Sequence, residues 1–397
     1  MFSRDEIKAL TDKVLNMAGS DPIEVTFDGG ERSGTRFANS TITANLVQYD
    51  EQLSINLRVG QKQGSAQTRE FDDESLKAAI DEARDAAAKG RDNPNLPPLV
   101  KGPQTSVKVD AVVPATADFS PGERAAWVKQ SVDICEKKGV LGAGYIPKAY
   151  QASCLANSEG LFAYYQYAEA GFILTCRMPS GSGSGWSGIT GAKDLSQIDV
   201  KQLTEVAADK AVKSQKPRAI EPGRYTTILE PRPTARFLST LMGAFNAAGG
   251  GGFGGGFNFG GIGRPFTGPD GKPKIGQKLF SDTVGKLKYG SKLFNVTADR
   301  TMPGGLGTIG YDDDGVKTTE FPIIRDGILV GLQTNRETAP LIGDTASKGC
   351  TSASSWRDYP FLRMPNVRVE PGPKGSPSAE EIIADTKDGV LIDGRGS

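Results

Sequence analysis

The 397-residue chain is predicted to adopt an α+β fold, with an N-terminal domain of antiparallel sheet meanders flanked by helices and a C-terminal domain rich in β-strands. Three observations carry that prediction. A helix–meander–helix order of hydrophobic periods occurs twice before residue 215. Fifty glycines and 24 prolines punctuate the chain, which implies many turns and short strands. Beyond Pro217–Gly223 the composition shifts, and short alternating runs dominate to the end. We place the division there, giving 1–215 and 216–397, with an internal linker at about 90–118.

The first helix follows from Ile7, Leu10, Val14 and Met17, a helical stripe with Ser3 as N-cap. Glycine-bounded alternating segments come next: Ile23–Phe27, Thr35–Phe37, Thr41–Val47, Leu53–Val59 and Ser65–Thr68. Ile55, Leu57 and Val59 share one face, as in a meander with one wet side. Phe71-Asp72-Asp73-Glu74 opens a second helix, to about Lys89, acidic at its start and basic at its end. The proline-rich stretch from Arg91 to Ala117 reads as an ordered surface linker. Ser120-Pro121-Gly122-Glu123 then starts a third helix, with Ser, Pro and Glu at N-cap, N1 and N3.

Strands follow at about Leu141–Ala156, Leu161–Tyr167 and Phe172–Met178. A Gly/Ser-rich turn, Ser180–Ser187, leads to a helix over Val200–Ser214. The first repeat of elements is thus matched by a second, and together they form one α+β layer. In the C-terminal part, Tyr225–Leu229 is a strand. Thr234–Phe245 is a helix with Phe237, Leu238, Leu241, Met242 and Phe245 inward. Ten of the fifteen residues from Gly249 to Gly263 are glycine, too costly a backbone to order as core; a mobile loop is the better account. Glu380–Thr386 reads as a short helix.

Composition excludes several function classes. The chain has no histidine, so imidazole ligands, bases and proton shuttles are ruled out, and with them Ser-His-Asp and Cys-His nucleophiles. Lys plus Arg equals Asp plus Glu, at 47 each. Such balance provides no general field for nucleic acid or an anionic membrane, and no nucleic-acid partner is expected. The charged N-terminus lacks a signal-peptide core, and no apolar run approaches a membrane span of roughly 20 residues. Four scattered cysteines without C-x-x-C spacing point to a reducing compartment, the cytoplasm.

Local motifs carry little chemistry. Gly183-Ser184-Gly185-Trp186-Ser187-Gly188 matches G-x-G-x-x-G, but no helix opens behind it, so a strand-connecting turn is preferred to dinucleotide binding. Asp312-Asp313-Asp314-Gly315 lacks the ligand spacing of a calcium loop and reads as a solvated turn. Lys348 beside Cys350 would lower the thiol pKa, although a packing thiol is the commoner case.

Several segments taken in order resemble the TldD/PmbA family, also called modulators of DNA gyrase. They include Arg36-Phe37-Ala38-Asn39-Ser40, Asn157-Ser158-Glu159-Gly160, Pro222-Gly223-Arg224-Tyr225-Thr226 and Lys274–Asp282. Asp312–Val316, Arg336-Glu337-Thr338-Ala339, Arg363-Met364-Pro365-Asn366 and Asp388–Gly394 complete the series. The resemblance implies a cytosolic metallopeptidase system acting on unfolded peptides. Its catalytic member carries H-E-x-x-x-H on a helix and a later cysteine as third zinc ligand; a sister subunit lacks them.

Aligned on Gly243, this chain has Ser239 and Ala244 at the histidine positions and Thr240 at the glutamate. Both imidazoles and the base that would activate a zinc-bound water are therefore missing. Family members continue past Asp388–Gly394, so the chain reads as a short or truncated member, and no ligand role passes to Cys350. The resemblance thus implies a TldE-like, non-catalytic subunit or degenerate homologue. It would hold no metal or cofactor itself, with zinc in a TldD-like catalytic partner, or it would pair with itself. Arg336, Glu337, Arg363 and Asn366 are its candidate peptide-lining residues. The alternative is an active hydrolase whose metal is held by carboxylates or Cys350.

Overall fold

The computed structural model describes residues 2–94, 96–104, 111–241, 245, 247, 284–352, 361–363 and 365–394. The Gly249–Gly263 tract, the Lys274–Asp282 segment and Ala244 lie outside these. The first unit runs α1 (Arg4–Ala18), β1 (Ile23–Ala38), β2 (Thr41–Val59), β3 (Lys62–Thr68) and α2 (Asp73–Lys89). The second opens with the short α3 (Pro114–Ala117). It continues as α4 (Pro121–Lys137), β4 (Leu141–Asn157), β5 (Phe162–Arg177), β6 (Ser184–Ala192) and α5 (Val200–Lys213). The predicted caps form: Ser3 with Glu6, and Ser120 with Glu123, make reciprocal capping boxes.

The six strands make one antiparallel sheet, ordered β3-β2-β1-β4-β5-β6, so the two units join along β1 and β4. The strands are longer than the sequence predicts, at 16 residues for β1 and 19 for β2. The glycines read as strand ends lie inside the ladder. A Cβ on Gly30 would sit 2.2 Å from the Tyr150 carbonyl oxygen, and one on Gly34 would sit 2.4 Å from the Tyr145 hydroxyl. These glycines allow close approach rather than a turn. Gly183 and Gly185 do the same at β6, meeting the Ala211 and Ala207 carbonyls of α5. That G-x-G, predicted as a turn, therefore packs a helix onto a strand.

The four long helices cover one face of the sheet. Ile23, Val25, Leu53, Ile55 and Leu57 pack with Val14, Leu76 and Ile80 beneath α1 and α2. Phe172, Leu174 and Cys176 pack with Val128, Cys135 and Ala207 beneath α4 and α5. Between the two cores Arg124 is buried, donating to Thr35 Oγ1 (3.0 Å) and to the Phe119 carbonyl (2.9 Å).

The C-terminal part is built from β7 (Thr226–Leu229), α6 (Pro231–Leu241), β8 (Val296–Asp299), β9 (Glu320–Arg325) and β10 (Ile328–Leu329). After these come β11 (Thr351–Ser352), β12 (Phe361–Leu362), β13 (Val367–Val369), α7 (Ala379–Asp385) and β14 (Gly389–Ile392). Strands β10-β9-β8-β13 form an antiparallel sheet, β11 pairs with β12, and β14 pairs with β7 in parallel. Val296, Ala298, Ile323, Ile324 and Leu332 form its core with Leu238 from α6. Phe237, predicted to point inward, is exposed, because one residue along a helix turns a side chain about 100° from its neighbour.

Candidate functional site

The strand β7 leads directly into α6, with Pro231 at the helix start, where a missing N–H costs nothing. Ser239 is exposed on this helix, and its hydroxyl donates to the Arg236 carbonyl at 2.7 Å. Thr240 follows it. Zinc sites draw on imidazole, thiolate and carboxylate ligands. Here the helix offers hydroxyls, and among the described residues no group of three His, Cys, Asp or Glu could hold a metal ion. The described residues of α6 do not fit zinc.

Cys350 is sealed in the C-terminal core among Leu238, Ile323 and Leu332. Burial pushes its thiol up to about 12. The neighbouring ammonium of Lys348 is engaged elsewhere, donating to Asp344 Oδ2 (2.7 Å) and the Leu332 carbonyl (2.9 Å). Packing is thus the observed role of this thiol.

Two of the matched segments, Asp312–Val316 and Arg336–Ala339, meet where the C-terminal part closes on the helix-free face of the sheet. Asp312 is fully buried, not solvated as predicted. Its Oδ1 accepts from the Asp314 N–H (3.1 Å) and the Val316 N–H (2.9 Å), while Oδ2 accepts from the Thr351 N–H (3.0 Å). The Asp-x-x-Gly pattern could have signalled this, since an Asx side chain bonds the backbone two residues on. Burial, then the nearby Asp314 charge, raises the Asp312 carboxyl; the N–H donors oppose them.

Asp314 accepts from the Thr351 hydroxyl (3.0 Å) and pairs with Arg336 (3.4 Å), and Arg336 also donates to the Pro98 carbonyl of the linker. Arg58 donates to the Pro97 carbonyl at 2.5 Å. Glu24 of β1 shares this environment, and its carboxyl is pushed up to about 7, chiefly by burial and then by Asp314. Beside the polar cluster, Tyr311 donates to the Ser153 carbonyl at 3.2 Å and packs with Val100, Leu155 and Leu161. Linker, sheet and C-terminal turn therefore interlock.

The other predicted residues lie apart from this junction. Asn366 accepts from the Gly307 N–H (2.6 Å) and donates to the Asp299 carbonyl (2.9 Å) and Thr308 Oγ1 (2.8 Å), tying a loop to β8. Glu337 is half-buried, and Arg363 is exposed where the chain leaves β12. The structure joins Arg336 to Asp314 but leaves Arg363 and Asn366 outside that cluster.

Family models described as the PmbA/TldA metallopeptidase C-terminal domain and central domain match residues 273–396 and 139–215. A metalloprotease of Methanothermobacter thermautotrophicus is 27% identical over 250 residues, 61% of this chain and 48% of that protein. One of Synechocystis is 27% identical over 247 residues, 60% of this chain and 46% of that protein. The chain thus spans about half the length of these curated relatives. Among solved structures, TldE from Thermococcus kodakarensis shares the fold with a TM-score of 0.78 at 19% identity, over 97% of this chain and 82% of that one. A proposed modulator of a DNA gyrase from Thermotoga maritima does so with a TM-score of 0.78 at 16% identity, over 97% and 82%. Among the described residues no helix is long and apolar enough to cross a membrane. With models matching in both halves and the fold shared along nearly its whole length, the chain belongs to the TldD/PmbA family of metallopeptidase-like proteins.

Proposed function

We propose that this chain is a TldE-like, non-catalytic subunit or a degenerate homologue of the family's peptidase, acting with a histidine-bearing partner or with itself on unfolded peptides. The observation that carries the reading is on α6, where Ser239 and Thr240 stand at family ligand and base positions in a chain without histidine. The burial of Cys350 removes the thiol on which a self-sufficient hydrolase would draw. Zinc then belongs to the partner. Of the four peptide-lining candidates, Arg363 is exposed and would meet a peptide first, whereas Arg336, Glu337 and Asn366 are half-buried. The site of action is the cytoplasm, which suits four unpaired, buried thiols.

The test is to purify the full chain, measure bound metal and assay cleavage of an unfolded polypeptide, alone and with a histidine-bearing homologue. No stoichiometric zinc and no chelator-sensitive turnover are expected for the chain alone. Zinc-dependent turnover by the isolated chain would overturn the reading.

A further inference from the structure

Two of the four thiols touch. The sulfurs of Cys135, in the last turn of α4, and of Cys176, on β5, lie 3.6 Å apart and share a hydrogen bond. Both are buried in the core beneath α4 and α5, with Val128, Leu174 and Ala207 around them. The sheet is shaped to admit the pair. Cys176 stands opposite Gly142 of β4, and a Cβ on Gly142 would lie 3.0 Å from the Cys135 sulfur. The bare glycine lets a thiol from the helix come down beside a thiol on the strand. Cys154 and Cys350 sit in separate cores, one beneath α1 and the other in the C-terminal part.

Reactivity separates the pair from those two. Burial pushes the Cys154 and Cys350 thiols up to about 12, so neither offers thiolate near neutral pH. The hydrogen bond with Cys176 draws the Cys135 thiol down against the opposing effect of burial, while that bond and burial hold Cys176 up. The neighbouring chain provides access. Glu136, Lys137, Lys138 and Gly139 follow Cys135 directly, and all four are exposed. The last turn of a helix keeps the fewest backbone bonds and opens most readily. Local fraying therefore brings Cys135 to a small oxidant without unfolding the sheet.

We infer that Cys135 and Cys176 form a modification site, which hydrogen peroxide converts to a disulfide. In the first step the Cys135 sulfur attacks a peroxide oxygen. An S–O bond forms, the O–O bond breaks, and the other oxygen leaves as water with the thiol proton, giving a sulfenic acid at Cys135. The Cys176 sulfur then attacks that sulfur. The S–S bond forms, the S–O bond breaks, and the hydroxyl leaves as water with the Cys176 proton. Two electrons thus pass from the two thiols to one peroxide, which is reduced to two waters. The sulfurs close from 3.6 Å to about 2.05 Å, within reach of side-chain rotation and a small shift of the last turn. Disulfides in a reducing compartment are usually transient and redox-sensing, which matches a resting state of free thiols. The site stands independently of the proposed role, since neither residue belongs to α6 or to the junction around Asp312.

The test treats the reduced full chain with hydrogen peroxide, quenches with iodoacetamide and counts free thiols in denaturant. The count should fall from four to two, with a mass lower by two hydrogens. Peptide mapping should show residues 135 and 176 linked, and dithiothreitol should reverse the change completely. Cys176→Ser should lose the link and leave Cys135 as a sulfenic acid that dimedone captures. Cys135→Ser should keep its other thiols at the same dose. The wild-type mass and peptide map need no variant, so the test survives poor folding of either serine chain. Met17, 37% exposed, serves as the internal gauge of dose. Retention of all four thiols at doses that oxidise Met17, oxidation of the cysteines singly to sulfinic acid, or a link through Cys154 or Cys350 would each overturn the inference.

Discussion

The two parts of the molecule are held together by different means. The N-terminal sheet rests on long ladders and two apolar layers, with Ile23, Ile55, Leu57, Phe172 and Leu174 fully buried. In the C-terminal part the strands are two to six residues long, and buried polar side chains take over the work of a ladder. Asp312 satisfies three N–H groups, and Asn366 and the Asn335–Thr338 pair organise neighbouring loops. Where strands are short, a single carboxylate or amide stands in for many backbone bonds. Its loss should therefore rival the loss of a core aliphatic.

Five substitutions and one titration would break or sharpen that contrast. Asp312→Ala strands three buried donors, so denaturant unfolding should show a loss of roughly 3–5 kcal/mol, with earlier proteolysis between the two parts. Ile55→Ala, the apolar counterpart, should cost about 3 kcal/mol without opening the junction. Asn366→Ala should cost about 2 kcal/mol and increase hydrogen exchange in residues 299–308.

The titration addresses the junction itself. Glu24 and Asp312 both ionise less readily in the folded chain than in the unfolded one, and Glu24 is raised to about 7. Their contribution is whole below the ordinary carboxylate range and is lost as pH rises through about 7. Stability should therefore fall by roughly 1–2 kcal/mol between about pH 5 and pH 8, and Glu24→Gln should flatten that slope. Smallest of all, Ser239→Ala on the exposed face of α6 should shift stability by less than about 0.5 kcal/mol. A large loss there would show a buried role for the helix that its exposure does not suggest.

The same contrast explains what the sequence made legible. Helix starts were readable at Ser3 and Ser120 because a capping box is a local signal, complete within four residues. The repeat of elements was readable from hydrophobic period. Strand lengths were not, since Gly30 and Gly34 look like breaks until Tyr150 and Tyr145 are placed against them. At the site, Ser239 and Thr240 were legible through the resemblance. The junction was not: Glu24, Arg58, Asp312 and Arg336 are brought together by tertiary contact, and a run of three aspartates reads as wet until something covers it.

The glycines along β1 and β4 carry one more consequence. In a chain made of two similar units, each unit's first strand could in principle mate with the wrong neighbour or slip by two residues. A bare Cα under the Tyr145 ring and another against the Tyr150 carbonyl fit one alignment and collide in the shifted ones. The seam thus acts as an address as well as a contact. It tells two near-copies of one pattern which strand of the other to find.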